Sequence, residues 1–307
     1  MFTKKIVLNK DYVMSFNFEY KKPIVISEIG CNHKGEMEIA KELIKMSKDA
    51  GADVAKFQKR TNKELLTEEQ YNAPHPNPSN SYGPTYGAHR EFLEFSQEQH
   101  KELKDYCEQL GIVYCTSVWD NTSAKEIIAL NPDFIKVPSA CNNNFEMMKL
   151  LRDTYSGDIH ISLGMTYNDE AEKIVKFFEE TNCAKGRLVL YSCTSGYPVP
   201  FQDICLLEIK KIHDTFGSRV KEIGFSGHHL GIAVDVAAYT LGAVYIERHF
   251  TKDRTWKGTD HAASLEFTGL QKLCRDLKAT NQALTYKKQE ILEIEQVQRD
   301  KLKYKKA

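Results

Sequence analysis

No stretch of the 307 residues approaches the roughly 20 consecutive apolar side chains that cross a bilayer. The first residues, MFTKKIVLNKDYVM, carry lysines with no continuous apolar segment behind them, so neither a secretory leader nor an anchor is visible. Charge of one sign is not in excess either. Lysine plus arginine total 42 and aspartate plus glutamate total 42, which removes any global electrostatic signature of a nucleic-acid or anionic-membrane partner while leaving room for a local basic pocket. The eight cysteines (Cys31, Cys107, Cys115, Cys141, Cys183, Cys193, Cys205 and Cys274) contain no Cys-x-x-Cys pair, and a chain of this length does not need them as staples. A soluble protein of a reduced cytoplasmic compartment is expected. Also missing are a Rossmann glycine fingerprint and a GxxxxGK[ST] phosphate loop.

What the chain does have is 41% hydrophobic residues, enough for a substantial core, arranged in a repeating order. Short β-type runs occur at IVISE (24–28), VAKFQ (54–58), IVYCT (112–116), FIKV (134–137), IHISL (159–163), RLVLYS (187–192), EIGFS (222–226) and AVYIERHF (243–250). Each is followed by a segment with apolar residues spaced three and four apart, the pattern of a helix laid on a sheet. AHREFLEFSQEQHKELKDYCEQLG (88–111) reads as one such helix. Eight strand–helix units within about 250 residues predict a closed parallel (β/α)8 TIM barrel. A doubly wound sheet would use about six strands and a switch point. The barrel, with an amino-terminal extension, is expected over residues 1–282, and 283–307 read as a charged carboxyl-terminal helix or tail. The connection from Thr61 to Gly87, which includes PHPNPSNSYGPTYG, is long for such a unit. Two readings of it are open, a lid or binding loop and a solvent-facing insertion.

In this architecture reactive residues collect where strands end. The first strand offers Glu28, Asn32 and His33, the second Lys56, Gln58 and Lys59, and the third Thr116 and Ser117. Lys136 and Ser139 follow the fourth, Ser162 ends the fifth, and Ser192, Thr194 and Tyr197 follow the sixth. The seventh gives Ser226, His228 and His229, and the eighth Glu247, Arg248 and His249. Alternation puts Lys56 with Gln58, and Glu247 with His249, on common faces. His228 and His249 are candidate ligands of an open catalytic metal, with Glu28 nearby; the competing reading is a pair of hydrogen-bonded rim histidines. Lys56, Lys136, Ser139, Ser162 and Ser226 suit an oxygen-rich anion site, although any one lysine is also explained by a rim salt bridge. Cys141 and Cys193 read as packing or pocket-wall residues rather than nucleophiles.

The segments ISEIGCNHKG, VAKFQK, FIKVPS, ISLGM, YSCTSGYPVP, IGFSGHH and YIERHFTKDRTWKGTDHAASLE, in this order, resemble the sialic acid (N-acetylneuraminate) synthase family over roughly residues 20 to 280. The resemblance implies condensation of phosphoenolpyruvate with an N-acetylated sugar aldehyde such as N-acetylmannosamine, releasing phosphate. It implies His228 and His249 as ligands of Mn2+ or Mg2+, with Glu28 as the catalytic acid of the first strand. Phosphoenolpyruvate would be bound by Lys56, Thr116, Lys136, Ser139, Ser162 and Ser226, and the sugar by Gln58, Tyr197 and Asp260, with Cys141 in the sugar-contacting place after the fourth strand. Where the family places a sugar-contacting glutamate this sequence has Cys141. The antifreeze-like domain that commonly follows the barrel, whose arginine reaches a partner's active site, is not recognisable before Ala307. A homodimer through the barrel, a synthase for a different sugar, phosphorylated or not, and a non-catalytic barrel serving as a binding or assembly subunit are the alternatives these departures keep open.

Overall fold

Eight strands close into one parallel barrel in chain order: β1 Ile24–Gly30, β2 Val54–Lys59, β3 Val113–Val118, β4 Phe134–Val137, β5 Asp158–Ser162, β6 Leu188–Cys193, β7 Glu222–Gly227 and β8 Tyr245–His249. The computed structural model describes residues 19–304, so residues 1–18 of the expected amino-terminal extension, and the last three residues, lie outside the described ones. Every strand expected from the sequence is present, with limits displaced by no more than two residues.

The strands form because their outward positions are β-branched, aliphatic or aromatic and fit against helices. Val25, Ala55, Phe57, Tyr114, Ile135, Val137, Ile159, Ile161, Leu190, Phe225 and Ile246 belong to one buried cluster that also takes in the inner faces of the surrounding helices. The helix Met37–Ala50 contributes Leu43 and Ile44, and Gln97–Leu110 contributes Leu103 and Cys107, all fully buried. Both helices end at a glycine in the left-handed region, Gly51 (φ 94°) and Gly111 (φ 65°), where a side chain would be strained. Inward positions differ with height. Ile26, Val54, Cys115, Phe134, Val189 and Tyr191 fill the lower barrel as a separate apolar plug, and His160 joins it, stacked on Phe134 at 4.1 Å between ring centroids and 2.8 Å from the Tyr191 hydroxyl. The plug gives the polar layer above it a dry floor.

The segment read as a single helix over 88–111 is two, Tyr86–Leu93 and Gln97–Leu110. The physical reason is a capping box: the Ser96 hydroxyl accepts from the Gln99 amide (3.3 Å) and the Gln99 side chain accepts from the Ser96 amide (2.8 Å). Apolar spacing continues across the break because Leu93 and Phe95 are both buried, which is why periodicity alone missed it. The long connection is structured, with short helices at Asn62–Leu65 and Glu68–Asn72. It packs through Tyr82, whose hydroxyl donates to the Lys257 carbonyl in the segment after β8. Near the carboxyl terminus a helix over Glu293–Leu302 buries none of its side chains.

Arg248 is the largest fully buried side chain. It leaves β8 on the outward side and donates to Asp235 Oδ2 (2.5 Å), the Gly231 carbonyl (2.7 Å) and His229 Nε2 (3.1 Å), with a further bond to the His229 carbonyl. Asp235 lies in the helix Ala233–Thr240, so this ion pair fastens β8 to the β7–helix connection. Thus Arg248 and His229, both candidates by position at strand ends, serve packing behind the barrel wall. Asp235→Ala, which strands Arg248 without its carboxylate, should cost about 3–5 kcal/mol in denaturant unfolding, whereas Asp235→Leu combined with Arg248→Met should recover most of it.

Two other buried imidazoles give stability a pH dependence. Burial depresses His33 and His100 from 6.5 to about 3 in each case. Their folded values lie below the unfolded one, so the unfolded chain binds more protons and stability is lost as pH falls from about 6.5 toward 3, at up to about 1.4 kcal/mol per pH unit per group. Thermal midpoints recorded between pH 7.5 and 5 should decline steadily below 6.5; a flat profile would show that these rings carry no differential charge.

Candidate active site

The upper barrel holds a cavity of about 400 Å³ that opens at the carboxyl ends of the strands. Alternation builds it. Above the apolar plug the next inward residues are Glu28 on β1, Lys56 on β2, Ser117 on β3, Lys136 on β4, Ser162 on β5, Ser226 on β7 and Glu247 on β8, and all line the cavity. Lys56 ion-pairs with Glu28, lies 3.6 Å from Glu247 Oε2, and donates to Ser117 Oγ at 2.9 Å. Lys136 donates to Glu247 Oε1 at 2.5 Å and stands 4.4 Å above the Tyr191 ring. Ser226 donates to the same carboxylate oxygen at 2.9 Å.

Each of these charges would be expensive alone in so buried a place; together they are tolerated because the two lysines and two glutamates neutralise one another. Burial opposes ionisation of Glu247, yet Lys136 and Lys56, with hydrogen bonds from Lys136 and Ser226, hold its carboxyl far below the usual range. Burial would likewise lower Lys56, but Glu247 and Glu28 raise it above the ordinary lysine value. Lys56 therefore stays cationic at neutral pH, the state an anionic ligand requires.

Glu28 is further fixed by Gln58, whose amide donates to its Oε1 at 2.6 Å. That contact needs the backbone of Gly30, where an added Cβ would fall 3.0 Å from Gln58 Nε2 and 3.2 Å from Glu28 Oε1. The Ser162 hydroxyl, by contrast, is buried, lines the cavity and has no partner in the protein.

His228 and His249 face the same cavity with ring centroids 5.4 Å apart. The Nδ1 of His228 pairs with the Thr194 carbonyl at 3.0 Å, which makes that nitrogen the protonated one and leaves Nε2 as an acceptor. Nδ1 of His249 is buried without a hydrogen-bond partner, and Asp260 Oδ2 lies 4.0 Å away. Burial, then the neighbouring His249, pushes His228 down to about 3, so its ring is neutral, the form that ligates a metal. No group of three or more histidine, cysteine, aspartate or glutamate side chains surrounds one metal position among the described residues. The pair supplies two imidazole nitrogens, so an ion held there would take the rest of its shell from water or substrate.

Of the residues singled out from sequence, Glu28, Lys56, Gln58, Lys136, Ser139, Ser162, Tyr197, Ser226, His228 and His249 all line this cavity. Tyr197 is half exposed at the mouth, its ring 4.4 Å from that of His228. Asp260 stands at the edge beside His249. Two expectations need correction. Thr116 lies on the outward side of β3, in register with Phe57 and within reach of the Tyr114 hydroxyl at 3.2 Å; Ser117, in register with Gln58, is the cavity residue. Cys141 is buried in the main apolar cluster and Ala140 faces the cavity in its place, because the turn Ser139–Cys141 carries the thiol into the core. Cys193 lines the cavity as a wall residue, and Glu247, Trp119, Met165 and Ser195 also line it without having been assigned to it. Alternation from Lys56 and His249 was sufficient signal for Ser117 and Glu247. Trp119, Met165 and Ser195 sit on loops, where no periodicity exists.

A family model described as the NeuB family matches residues 43–289. N-acetylneuraminate-9-phosphate synthase of Homo sapiens is 38% identical over 284 residues, covering 91% of this chain and 76% of that one. N,N'-diacetyllegionaminic acid synthase of Campylobacter jejuni is 30% identical over 264 residues, covering 86% and 78%. The solved structure of N-acetylneuraminic acid (sialic acid) synthetase from Leptospira borgpetersenii, in complex with citrate, shares the fold with a TM-score of 0.78 at 24% identity, covering 95% of this chain and 98% of that one. No described helix is long and apolar enough to cross a membrane. The chain belongs to the NeuB family, whose members carry out phosphoenolpyruvate-dependent condensation with an aldose to form a nonulosonic acid.

Proposed function

We propose that this chain condenses phosphoenolpyruvate with an N-acetylated aldose, N-acetylmannosamine or a close relative, to give a sialic-type acid and phosphate. The observation that supports the reading most directly is one cavity shared by a facing pair of imidazoles and a floor of two lysines with an unpartnered serine hydroxyl. In this reading Lys56 and Lys136 hold the carboxylate and phosphate of phosphoenolpyruvate, releasing part of their attraction to Glu28 and Glu247 as the ligand arrives. Ser139, Ser162 and Ser226 supply hydroxyls, and Ser117 takes the place first given to Thr116. Gln58, Tyr197 and Asp260 orient the open-chain sugar so that its aldehyde carbon faces C3 of phosphoenolpyruvate.

His228 and His249 would hold a divalent ion, Mn2+ or Mg2+, the class of ion members of the family typically use. When bound, the ion supplies Lewis acidity at the aldehyde oxygen. The new C–C bond forms between C3 and the aldehyde carbon, the electron pair coming from the enol double bond. Water adds at C2, and the C2–O bond to phosphate breaks. Glu28, fixed by Gln58 and Lys56, receives the proton released as water adds and passes it to the oxygen of the former aldehyde, and the proton of the new C2 hydroxyl leaves with phosphate as the ketone forms. The lysines stabilise the departing phosphate.

The test is phosphate release and product mass with phosphoenolpyruvate, a divalent ion and a panel of aldoses. Turnover should require the ion, and His249→Ala should lower it on the order of a hundredfold or more and weaken Mn2+ binding measured by calorimetry. Full activity after chelation would reject the assignment of the two histidines. Ser162→Ala should raise the KM for phosphoenolpyruvate about tenfold, the effect of losing one hydrogen bond to a charged group, with the thermal midpoint unchanged. An unaltered KM would place the ligand elsewhere in the cavity. Binding of phosphoenolpyruvate and Mn2+ without turnover on any aldose would favour a non-catalytic binding subunit instead.

A further inference from the structure

Arg60 is buried behind the cavity wall, and two residues of that wall, Gln58 and Trp119, rest on its guanidinium. It follows β2 directly. Nη2 donates to Gln58 Oε1, and Nη1 reaches Cys31 Sγ at 3.5 Å and Glu94 Oε1 at 3.2 Å. The guanidinium carbon lies 4.0 Å over the Trp119 ring, and the backbone amide of Arg60 donates to Glu94 Oε2 at 2.9 Å. Segments that follow β1, β2 and β3 thus meet on one side chain.

The contact with Gln58 decides which end of that amide meets Glu28. A glutamine side chain accepts at one end and donates at the other, and the two ends have nearly the same shape. A guanidinium only donates, so it takes the oxygen and turns the nitrogen toward the carboxylate. Gln58 Nε2 then donates to Glu28 Oε1 at 2.6 Å, while Lys56 pairs with Glu28 Oε2. Donation to the amide oxygen also polarises the amide hydrogens and strengthens their bond to Glu28. Without Arg60 the amide is free to rotate, and one of its two orientations sets oxygen against carboxylate.

The residue type matters as much as the charge. A lysine could donate to the amide, but it has neither the fork that spans Gln58 and Glu94 nor the plane that lies on an indole. The stack on Trp119 steadies the ring that continues the cavity wall past β3.

We propose that Arg60 is a positioning residue for the reaction: from behind the wall it orients Gln58, and through Gln58 it fixes the carboxylate of Glu28 in the cavity. The inference rests on the condensation reading above and adds to it a residue that touches no reacting atom.

The experiment is a double-mutant cycle in the full chain, with Glu94→Gln in every variant so that replacing Arg60 strands no carboxylate. Phosphate release is followed with phosphoenolpyruvate, Mn2+ and a panel of aldoses. Relative to Glu94→Gln alone, Arg60→Met should lower kcat about 30-fold and change the KM for phosphoenolpyruvate by less than about threefold, with Arg60→Lys intermediate. In a Gln58→Ala background the same replacement should cost no more than about threefold, because the side chain through which Arg60 acts is gone. An equal loss with and without Gln58 would mark a merely structural role and overturn the proposal, as would full kcat in Arg60→Met. A readout independent of turnover separates the proposal from the condensation reading. The Gln58 side-chain amide resonance, identified by its loss in Gln58→Ala, should lie downfield of free glutamine amides, as a hydrogen bond to a carboxylate requires, and should move back in Arg60→Met. That movement without turnover on any aldose would uphold the positioning and refute the condensation. Turnover with a resonance that Arg60→Met leaves in place would refute the positioning alone.

Discussion

Four mutually neutralising charges, Lys56 and Lys136 against Glu28 and Glu247, are the constraint on which the rest of the site depends. They come from four different strands, and each buried lysine has a glutamate to pair with. Only a closed barrel brings β1, β2, β4 and β8 to one axis at the same height. The apolar plug beneath, from Ile26 to Tyr191, excludes water from below and gives Lys136 an aromatic face to stand on. Because the quartet is neutral as a whole, an arriving anion exchanges carboxylate contacts for its own and need not desolvate bare cations. That makes the floor an exchange site for charge.

The same strand serves two purposes on its two sides. β8 turns Glu247 and His249 into the cavity and Arg248 outward to Asp235. The outward ion pair also holds the His229 carbonyl and ring, so the chain carrying His228 is tied directly to the strand carrying His249. A separation of 5.4 Å between the two cavity imidazoles is thereby set by a buried contact on the far side of the wall. Positional precision at the site and stability of the barrel have one structural origin here.

Above the floor, the barrel mouth is bordered by loops. The segment after β2 folds back on the segment after β8 through Tyr82 and Lys257, an aromatic and cationic contact between two loops. None of the residues from Thr61 to Gly87 lines the inner cavity. The connection therefore shapes the rim, and the strand ends supply the reacting groups.

The barrel was legible in the sequence because eight short strand signals alternate with amphipathic helical ones, and such a repeat has few ways of burying its apolar faces. Most cavity residues were legible for a related reason: a polar side chain at the inward position of an apolar strand end has little purpose except in a site, as Lys56, Lys136 and Glu247 illustrate. Thr116 and Cys141 were misplaced because composition and motif similarity do not say which way a side chain turns. For Thr116 the decision lies in the β3 register, and for Cys141 in a single turn of 3₁₀ helix. The break at Ser96 and the contact of Tyr82 with Lys257 were likewise beyond periodicity, since a cap and a loop-to-loop contact depend on partners distant in the chain. By itself, then, the sequence determined the repeat and the kinds of groups available. Tertiary structure decided which of them face one another, because that depends on closure, register and loop packing that no local run of residues encodes.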